Sequence, residues 1–215
     1  MKISRELPIE YSHDVHVSEN ESFDQVVLLL HGFQLDGKFM FKRFEKKFGA
    51  RTKIIAPNAP FLVPLKKEKD WVPRYSWYFY HAQKKNFYIN YEPAAKWVTK
   101  LMEQLNPEKK ELAIMGYSQG GYLAPKVAEL LEETVQVVGI NSIFRSERFK
   151  IKENVRYDQV QGALDTIVSP VEAKAEFLAM RKAGAHGEFR QVEEEHLLNQ
   201  RLVQAALDLA HFPTL

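Results

Sequence analysis

The chain has 215 residues, 45% of them hydrophobic and 27% charged, so we expect residues 1–215 to form one globular domain. Its 30 Lys and Arg side chains nearly balance 28 Asp and Glu, and the formal net charge of +2 gives no indication of a nucleic-acid partner. The lack of cysteine excludes disulfide bonds and a thiol nucleophile. The longest apolar run, Val26 to Leu30, is too short to span a membrane, and the polar start does not resemble a signal peptide. We therefore expect a cytoplasmic protein without stable membrane insertion.

The first part of the chain predicts an alternation of strands and a helix. The run Val26–Leu30 is continuously apolar and rich in valine and leucine, which is typical of a strand buried on both faces of a parallel sheet. In chain order, the expected elements are an edge strand over about Ile9–Val17 within a polar extension 1–24, the strand Val26–Leu30, a helix through Phe39, Phe44 and Phe48 closed by Gly49, and a strand over Lys53–Ala56 stopped by Pro57.

Residues 61–91 show little pattern of regular structure and are rich in proline, lysine and aromatic side chains. Such a segment can pack as part of the core beneath a long connection, or it can form the wall or lid of an apolar pocket. We favour the lid slightly, with Trp77 and Tyr78 nearest the pocket and in contact with a bound molecule. Beyond this segment, apolar residues at helical spacing over 97–105 and Pro93 near the start predict a helix.

The sequence Gly116-Tyr117-Ser118-Gln119-Gly120 follows the apolar strand Leu112–Met115 directly. This G-x-S-x-G pattern between a strand and a helix is typical of a nucleophile elbow, a turn so tight that glycine is needed two residues before and two residues after the serine. The turn lifts the serine hydroxyl clear of the sheet in a strained backbone conformation. A plain glycine-rich turn is the alternative, but the flanking strand and helix favour a nucleophile.

The last part of the chain continues the alternation. The expected elements are strands over 135–140 and 155–162, a helix from Pro170 to Gly184 capped by Ser169, a strand over 187–192, and a closing helix over about 198–209. Strands that alternate with helices predict a mostly parallel central sheet with helices on both faces, and with the elbow they predict the α/β-hydrolase fold.

Two positions after Ser118 have the order and context that this fold requires of a catalytic acid and base. Asp165 follows a predicted strand and precedes a capped helix, and His196 follows the last strand. His196 would take the proton of Ser118, and Asp165 would hold the imidazole in the correct tautomer. As alternatives, Asp158 lies inside a strand and His186 precedes one, at the opposite edge of the sheet; Asp165 as a turn residue and His196 as a surface histidine also stay open.

Backbone amides after Val26–Leu30 and after Ser118 are the expected oxyanion donors. We expect the amides of Phe33 and Gln119 to fill this role, with the amide of Gln34 as second choice beside Phe33. The Phe33 ring is also a candidate for contact with substrate. His31 is more typical of a packed loop residue than of a general base.

Five segments taken in order resemble the FSH family of serine hydrolases, close to the phospholipase/carboxylesterase and acyl-protein thioesterase group. They are Leu29-Leu30-His31-Gly32-Phe33-Gln34, Ala56-Pro57-Asn58-Ala59-Pro60, Trp77-Tyr78, Gly116-Tyr117-Ser118-Gln119-Gly120-Gly121, and Gly162-Ala163-Leu164-Asp165-Thr166-Ile167-Val168. The resemblance implies Ser118, Asp165 and His196 as the triad, and esterase activity on acyl esters. Two departures are Glu194-Glu195, where the family usually has glycine before the histidine, and the longer polar start.

The sequence thus predicts a serine hydrolase that cleaves carboxylic esters, or thioesters, of apolar acyl groups through an acyl-enzyme. It implies no metal or cofactor, and a small-molecule ester or thioester as substrate. An acyl-protein thioesterase or lysophospholipase and an acyltransferase would use the same triad, and an idle hydrolase-like binding module is a further alternative. The oligomeric state is left open.

Overall fold

Strands and helices alternate along most of the chain, as the hydrophobic pattern predicts. A computed structural model describes residues 13–19, 22–81 and 86–214, which form thirteen strands and five α-helices. The strands are β1 Val15–Val17, β2 Gln25–Leu30, β3 Thr52–Pro57, β4 Phe61–Leu62, β5 Leu65–Lys67, β6 Asp70–Val72, β7 Tyr75–Ser76, β8 Phe79–His81, β9 Asn86–Tyr88, β10 Glu111–Tyr117, β11 Thr134–Ile140, β12 Arg156–Gly162 and β13 Phe189–Val192. The helices are α1 Gly37–Phe44, α2 Glu92–Leu105, α3 Gln119–Leu130, α4 Pro170–Lys182 and α5 Gln200–Leu207, with a short 3₁₀ helix at Ser146–Arg148.

Seven strands form the central sheet, in the order β1-β3-β2-β10-β11-β12-β13. All neighbouring pairs are parallel except β1 and β3, which are antiparallel. The predicted edge strand is therefore present as Val15–Val17, while its first residues, 9–12, lie outside the described residues. A parallel sheet needs connections that cover its faces; α1 to α4 lie in connections between strands, and α5 follows the last strand.

The two faces of the sheet carry separate apolar cores. Successive side chains of a strand point to opposite faces. Val26, Leu28 and Leu30 of β2 accordingly pack with α2 and α3. Val27 and Leu29 pack with α1 and α5 on the other face. These five side chains are fully buried, which explains why β2 reads as a continuous apolar run instead of an alternating one.

The first helix is shorter in the structure than the sequence predicts. Helix α1 ends at Phe44 instead of Phe48, because Phe48 forms a bridge with Thr214 and the amide of Gly49 donates to Pro213 O. The C-terminal tail thus takes up backbone groups that a longer helix would have used.

The segment 61–91, which has little sequence pattern, contains three small antiparallel pairs instead of irregular chain. Strand β4 pairs with β7, β5 pairs with β6, and β8 pairs with β9. Strands of two or three residues are too short to show a period in the sequence.

The candidate residues are gathered at one edge of the sheet. The loops that follow β2, β10, β11, β12 and β13 all lie at the carboxyl ends of parallel strands. From β2 the chain continues to β3 on one side, and from β10 it continues to β11 on the other, so the crevice of the doubly wound sheet lies between β2 and β10. The loop carrying His31 to Phe33 and the turn carrying Ser118 border this crevice.

Candidate active site

Ser118 lies in the turn between β10 and α3, with φ 49° and ψ −118°. This positive φ is strained for a residue with a side chain, and the surrounding packing maintains it. A Cβ atom on Gly116 would lie 2.4 Å from Gly120 O, and one on Gly120 would lie 2.3 Å from Leu30 O. Only glycine fits at either position, so the turn has the geometry that the G-x-S-x-G pattern predicts.

The structure brings Ser118, His196 and Asp165 together into one hydrogen-bonded chain. His196 Nε2 lies 3.1 Å from Ser118 Oγ, and His196 Nδ1 lies 2.8 Å from Asp165 Oδ2. The three residues are separated by 47 and 31 positions in the sequence, yet each follows a strand of the same sheet. In this arrangement Nδ1 donates to the carboxylate and Nε2 is free to accept the serine proton.

Asp165 has a nearly complete set of hydrogen-bond donors. Its Oδ1 accepts from the amides of Ile167 and Val168, both at 2.8 Å, and its Oδ2 accepts from Gln161 Nε2 at 3.1 Å as well as from His196. Burial by itself would raise the pKa of this carboxyl, but the hydrogen bonds from His196, Val168 and Ile167 outweigh it and lower the pKa below its ordinary value. The carboxylate is therefore ionised at neutral pH.

Two side chains that sequence reasoning missed hold the backbone of the His196 loop. Tyr117 Oη donates to His196 O at 2.8 Å, and Asn141 Nδ2 lies 3.0 Å from Glu195 O and 2.9 Å from His196 O. Asn141 directly follows β11 and has a φ of 47°. A polar residue at the carboxyl end of a buried strand is a signal that could have identified it.

The backbone of Glu194-Glu195 packs against the chain at Gly162, where β12 ends. A Cβ atom on Gly162 would lie 2.4 Å from Glu194 O, and the amide of Leu164 donates to that same oxygen. The Glu194 carboxylate accepts from Asn199 Nδ2 and pairs with Arg201 at 3.1 Å. The Glu194 carboxylate therefore faces Asn199 and Arg201.

The candidate oxyanion donors are not equivalent. The amide of Gln119 is the first of α3 and has no acceptor within the helix. The amide of Gln34 donates to Tyr75 O at 3.0 Å, so it is already used in the fold and is not available as the second donor. Phe33, the first choice from the sequence, directly precedes Gln34 in the same loop.

His31 is fully buried and serves the loop structurally. Its Nε2 accepts from the amide of Ala59 at 2.9 Å, so its Nδ1 carries the proton and donates to Gly32 O at 2.7 Å. Burial lowers the pKa of His31 to about 4, which keeps the ring neutral. Both nitrogens are occupied, in agreement with the loop-packing interpretation.

Trp77 and Tyr78 have different positions. The Trp77 side chain is fully buried, its Nε1 donates to His31 O at 2.7 Å, and it does not line the cavity at Ser118. Its amide donates to Gln119 Oε1 at 2.8 Å, which ties this segment to the start of α3. Tyr78 does line the cavity, and its hydroxyl donates to Gln119 O at 2.7 Å. Trp77 therefore supports the wall from behind, and Tyr78 belongs to the wall.

A cavity of about 780 Å³ opens at Ser118 and His196. Phe33, a candidate for contact with substrate from the sequence, lines it together with apolar and aromatic residues that were not predicted. The further lining includes Leu35, Phe39, Ile89, Tyr91, Tyr122, Ile167 and Val168, and three charged residues, Arg145, Glu147 and Arg148. A mainly apolar cavity with a few polar groups is typical of a site for a small organic ligand.

The two alternative candidates, Asp158 and His186, do not line this cavity. Asp158 is buried within β12, where it accepts from Gln136, Arg156 and the amide of Glu188. His186 forms a backbone β-bridge with Arg156 at the opposite end of that strand.

Among the described residues, no group of three or more His, Asp or Glu side chains is placed to bind a metal ion. No helix in the described ranges has the length and apolarity needed to cross a membrane.

Solved structures of esterases and thioesterases share this architecture. The acyl-protein thioesterase 2 of Zea mays superposes with a TM-score of 0.73 at 16% identity, covering 92% of this chain and 97% of its own. Esterase PE8 gives a TM-score of 0.71 at 16% identity over 93% and 97% of the two chains. SOBER1 of Arabidopsis thaliana gives 0.67 at 18% identity over 86% and 96%. At these identities the likeness establishes the fold, which is the predicted α/β-hydrolase fold.

No curated protein sequence matches the chain. A family model described as serine hydrolase (FSH1) matches residues 22–197, which include the strained serine turn, the buried aspartate and the histidine loop. The match covers most of the chain and agrees with the resemblance found in the five sequence segments. The chain belongs to the FSH1 family of serine hydrolases.

Proposed function

We propose that this serine hydrolase cleaves carboxylic esters or thioesters of apolar acyl groups, with Ser118 as nucleophile, His196 as general acid and base, and Asp165 as its partner. The hydrogen-bonded chain from Ser118 Oγ through His196 to Asp165 Oδ2 carries this proposal, because its two distances suit proton transfer. The apolar cavity beside it supports an acyl group as the part of the substrate that is recognised.

The reaction follows from the geometry. Ser118 Oγ attacks the carbonyl carbon while its proton passes to His196 Nε2, and the negative charge that develops on the carbonyl oxygen is stabilised by the amides of Gln119 and Phe33. The tetrahedral intermediate expels the alcohol or thiol, which takes the proton from Nε2, and leaves an acyl-enzyme. Water then attacks this ester, again with His196 as base, and releases the acid.

Thioesters are included for a structural reason as well as a chemical one. The Zea mays acyl-protein thioesterase 2 has the same fold over nearly all of both chains. A thioester and an ester share the carbonyl centre and the tetrahedral intermediate, so the proposed machinery serves both.

The direct test is hydrolysis of p-nitrophenyl esters from acetate to dodecanoate by the wild type and by Ser118→Ala. We expect a clear optimum of chain length in the wild type, set by the cavity, and a loss of about 10⁵-fold or more in kcat in the variant. Ser22→Ala, an exposed serine, is the matched control and should keep full activity. Equal rates for the wild type and Ser118→Ala would overturn the proposal.

A further inference from the structure

A second cavity, of about 760 Å³, lies between α1 and α5. It is separate from the cavity of about 780 Å³ at Ser118 and His196, which we call the acyl cavity after the proposed function. Leu197, the residue after His196, borders both cavities and is 66% exposed. We call this second cavity the basic groove, because Lys42, Arg43, Lys47 and Arg201 line it. The groove therefore begins where the histidine loop ends.

The basic groove has an excess of positive charge. None of its ten lining residues is Asp or Glu, and of the four cations Arg201 has a carboxylate partner, Glu194, at 3.1 Å. Arg43 Nε donates to Leu198 O at 3.1 Å, but within the described ranges Arg43 forms no ion pair. Burial lowers the pKa of Arg43, as expected for a cation that lacks a compensating anion. An anionic ligand would supply that compensation.

The position of the groove relative to His196 indicates which part of a substrate could reach it. The general acid must protonate the leaving group, so the leaving group lies on the His196 side of the scissile bond. Leu197 and Leu198 continue directly from this histidine into the groove. The guanidinium of Arg43 also lies 3.5 Å from the ring centre of Phe39, a residue of the acyl cavity wall. The acyl cavity and the basic groove thus adjoin on the leaving-group side.

We propose that the basic groove binds a phosphate group carried by the alcohol or thiol part of the substrate, which makes phosphorylated leaving groups the preferred class. This inference rests on the proposed hydrolase function and specifies the half of the substrate that the apolar cavity does not. Phosphate is the anion that suits a site of several cations, since arginine and lysine bind it by charge-assisted hydrogen bonds. The phosphate takes no part in bond making; it positions the substrate.

The test compares matched substrates that differ in charge. S-octanoyl-4′-phosphopantetheine is paired with S-octanoylpantetheine, and 1-octanoylglycerol 3-phosphate is paired with 1-octanoylglycerol. We expect higher kcat/KM for the phosphorylated member of at least one pair, and a decrease with ionic strength for that member alone. The pair that responds identifies whether the phosphate belongs to a phosphopantetheine-type thiol or to a lipid-type alcohol.

Charge variants locate the effect. Lys42→Gln/Lys47→Gln/Arg201→Gln removes three charges from the groove, and Lys66→Gln/Lys100→Gln/Lys182→Gln removes three from exposed side chains that line neither cavity. At low ionic strength, kcat/KM for the phosphorylated substrate should fall about tenfold in the groove variant alone, while the neutral partner is unchanged.

Equal losses in both triple variants, equal losses on charged and neutral substrates, or no preference for phosphate in either pair would overturn the inference. If the neutral substrates are still hydrolysed in a way that depends on Ser118, the proposed function survives that result. No turnover of any of the four substrates would overturn both.

Discussion

Asp165 keeps a negative charge in a buried position because four donors surround its two oxygens. Two of these donors are backbone amides of the loop itself, so the carboxylate also shapes the turn that leads to α4. The same carboxylate fixes the tautomer of His196 by accepting from Nδ1. One side chain therefore shapes its own loop and also orients the ring of His196.

Asp165→Asn should lower kcat by about 10⁴-fold, because an amide can donate to Nδ1 and favour the wrong imidazole tautomer. Steady-state kinetics on the best p-nitrophenyl ester measures this effect, with circular dichroism to confirm folding. Asp158→Asn is the matched control: it changes a buried carboxyl in the same strand region and should cost stability while kcat stays within a few fold. A large loss of kcat in Asp158→Asn, together with nearly unchanged kcat in Asp165→Asn, would assign the catalytic acid to Asp158.

His31 predicts a dependence of stability on pH. Its pKa is about 4 in the folded protein and 6.5 ordinarily, so the unfolded chain binds more protons between these values and stability falls as pH decreases through this window. We expect the loss attributable to His31 to be roughly 2 kcal/mol between pH 7 and pH 5. Urea unfolding of the wild type and of His31→Gln measures it. The variant lacks the titrating group, so an identical pH dependence in both proteins would contradict the assignment.

At the scale of elements, the turn between β10 and α3 is specified by close backbone approach. Gly120→Ala would place a methyl group against Leu30 O at the end of β2 and His31 O at the start of the following loop, both backbone atoms. We expect a cost of about 3 kcal/mol or more in the free energy of unfolding, together with loss of activity, because the methyl group would force this loop away.

Gly49→Ala is the control for that substitution. A Cβ atom there would lie 3.8 Å from its nearest neighbour, so the cost should be below about 1 kcal/mol. Chemical denaturation of both variants compares them directly. Equal stabilities of the two variants would show that the turn can relax and that glycine is not required at Gly120.

The elements that the sequence predicts well are those with long local patterns. The buried run of β2, the strand before Ser118 and the Ser169-capped helix α4 each carry their signal within about ten residues. The short strands between 61 and 88 carry no such signal, because each has only two or three residues. Distant residues also anchor the chain between them. Trp77 is held by His31 and Gln119, which are 46 and 42 positions away.

The candidate site likewise has a part that local sequence patterns identify and a part that depends on distant contacts. Chain order and strand position identify Ser118, Asp165 and His196 as candidates, and the structure brings the three together. The engagement of the Gln34 amide by Tyr75 depends on a contact across 41 positions, which no local pattern reveals. The charged residues of the acyl cavity likewise arrive from the loop after β11, far from the serine motif in sequence.

At the scale of the whole molecule, the parallel sheet concentrates the chemistry at one edge. The crevice between β2 and β10 receives the loop after β2 and Ser118, and strands β11 to β13 are followed by Asn141, Asp165 and His196 in turn. The apolar cores on the two faces support this edge without taking part in it. In this layout Leu197 borders two cavities, a mainly apolar one at Ser118 and His196 and one lined by positive charge.

The central claim is that Ser118 is the nucleophile, and covalent labelling tests it most directly. The wild type is treated with a fluorophosphonate, digested, and mapped by mass spectrometry while residual ester hydrolysis is followed. We predict one adduct per chain, on the peptide that contains Ser118, in proportion to the activity lost, and none in Ser118→Ala. An adduct on another side chain, or full ester hydrolysis after complete labelling of Ser118, would contradict the account.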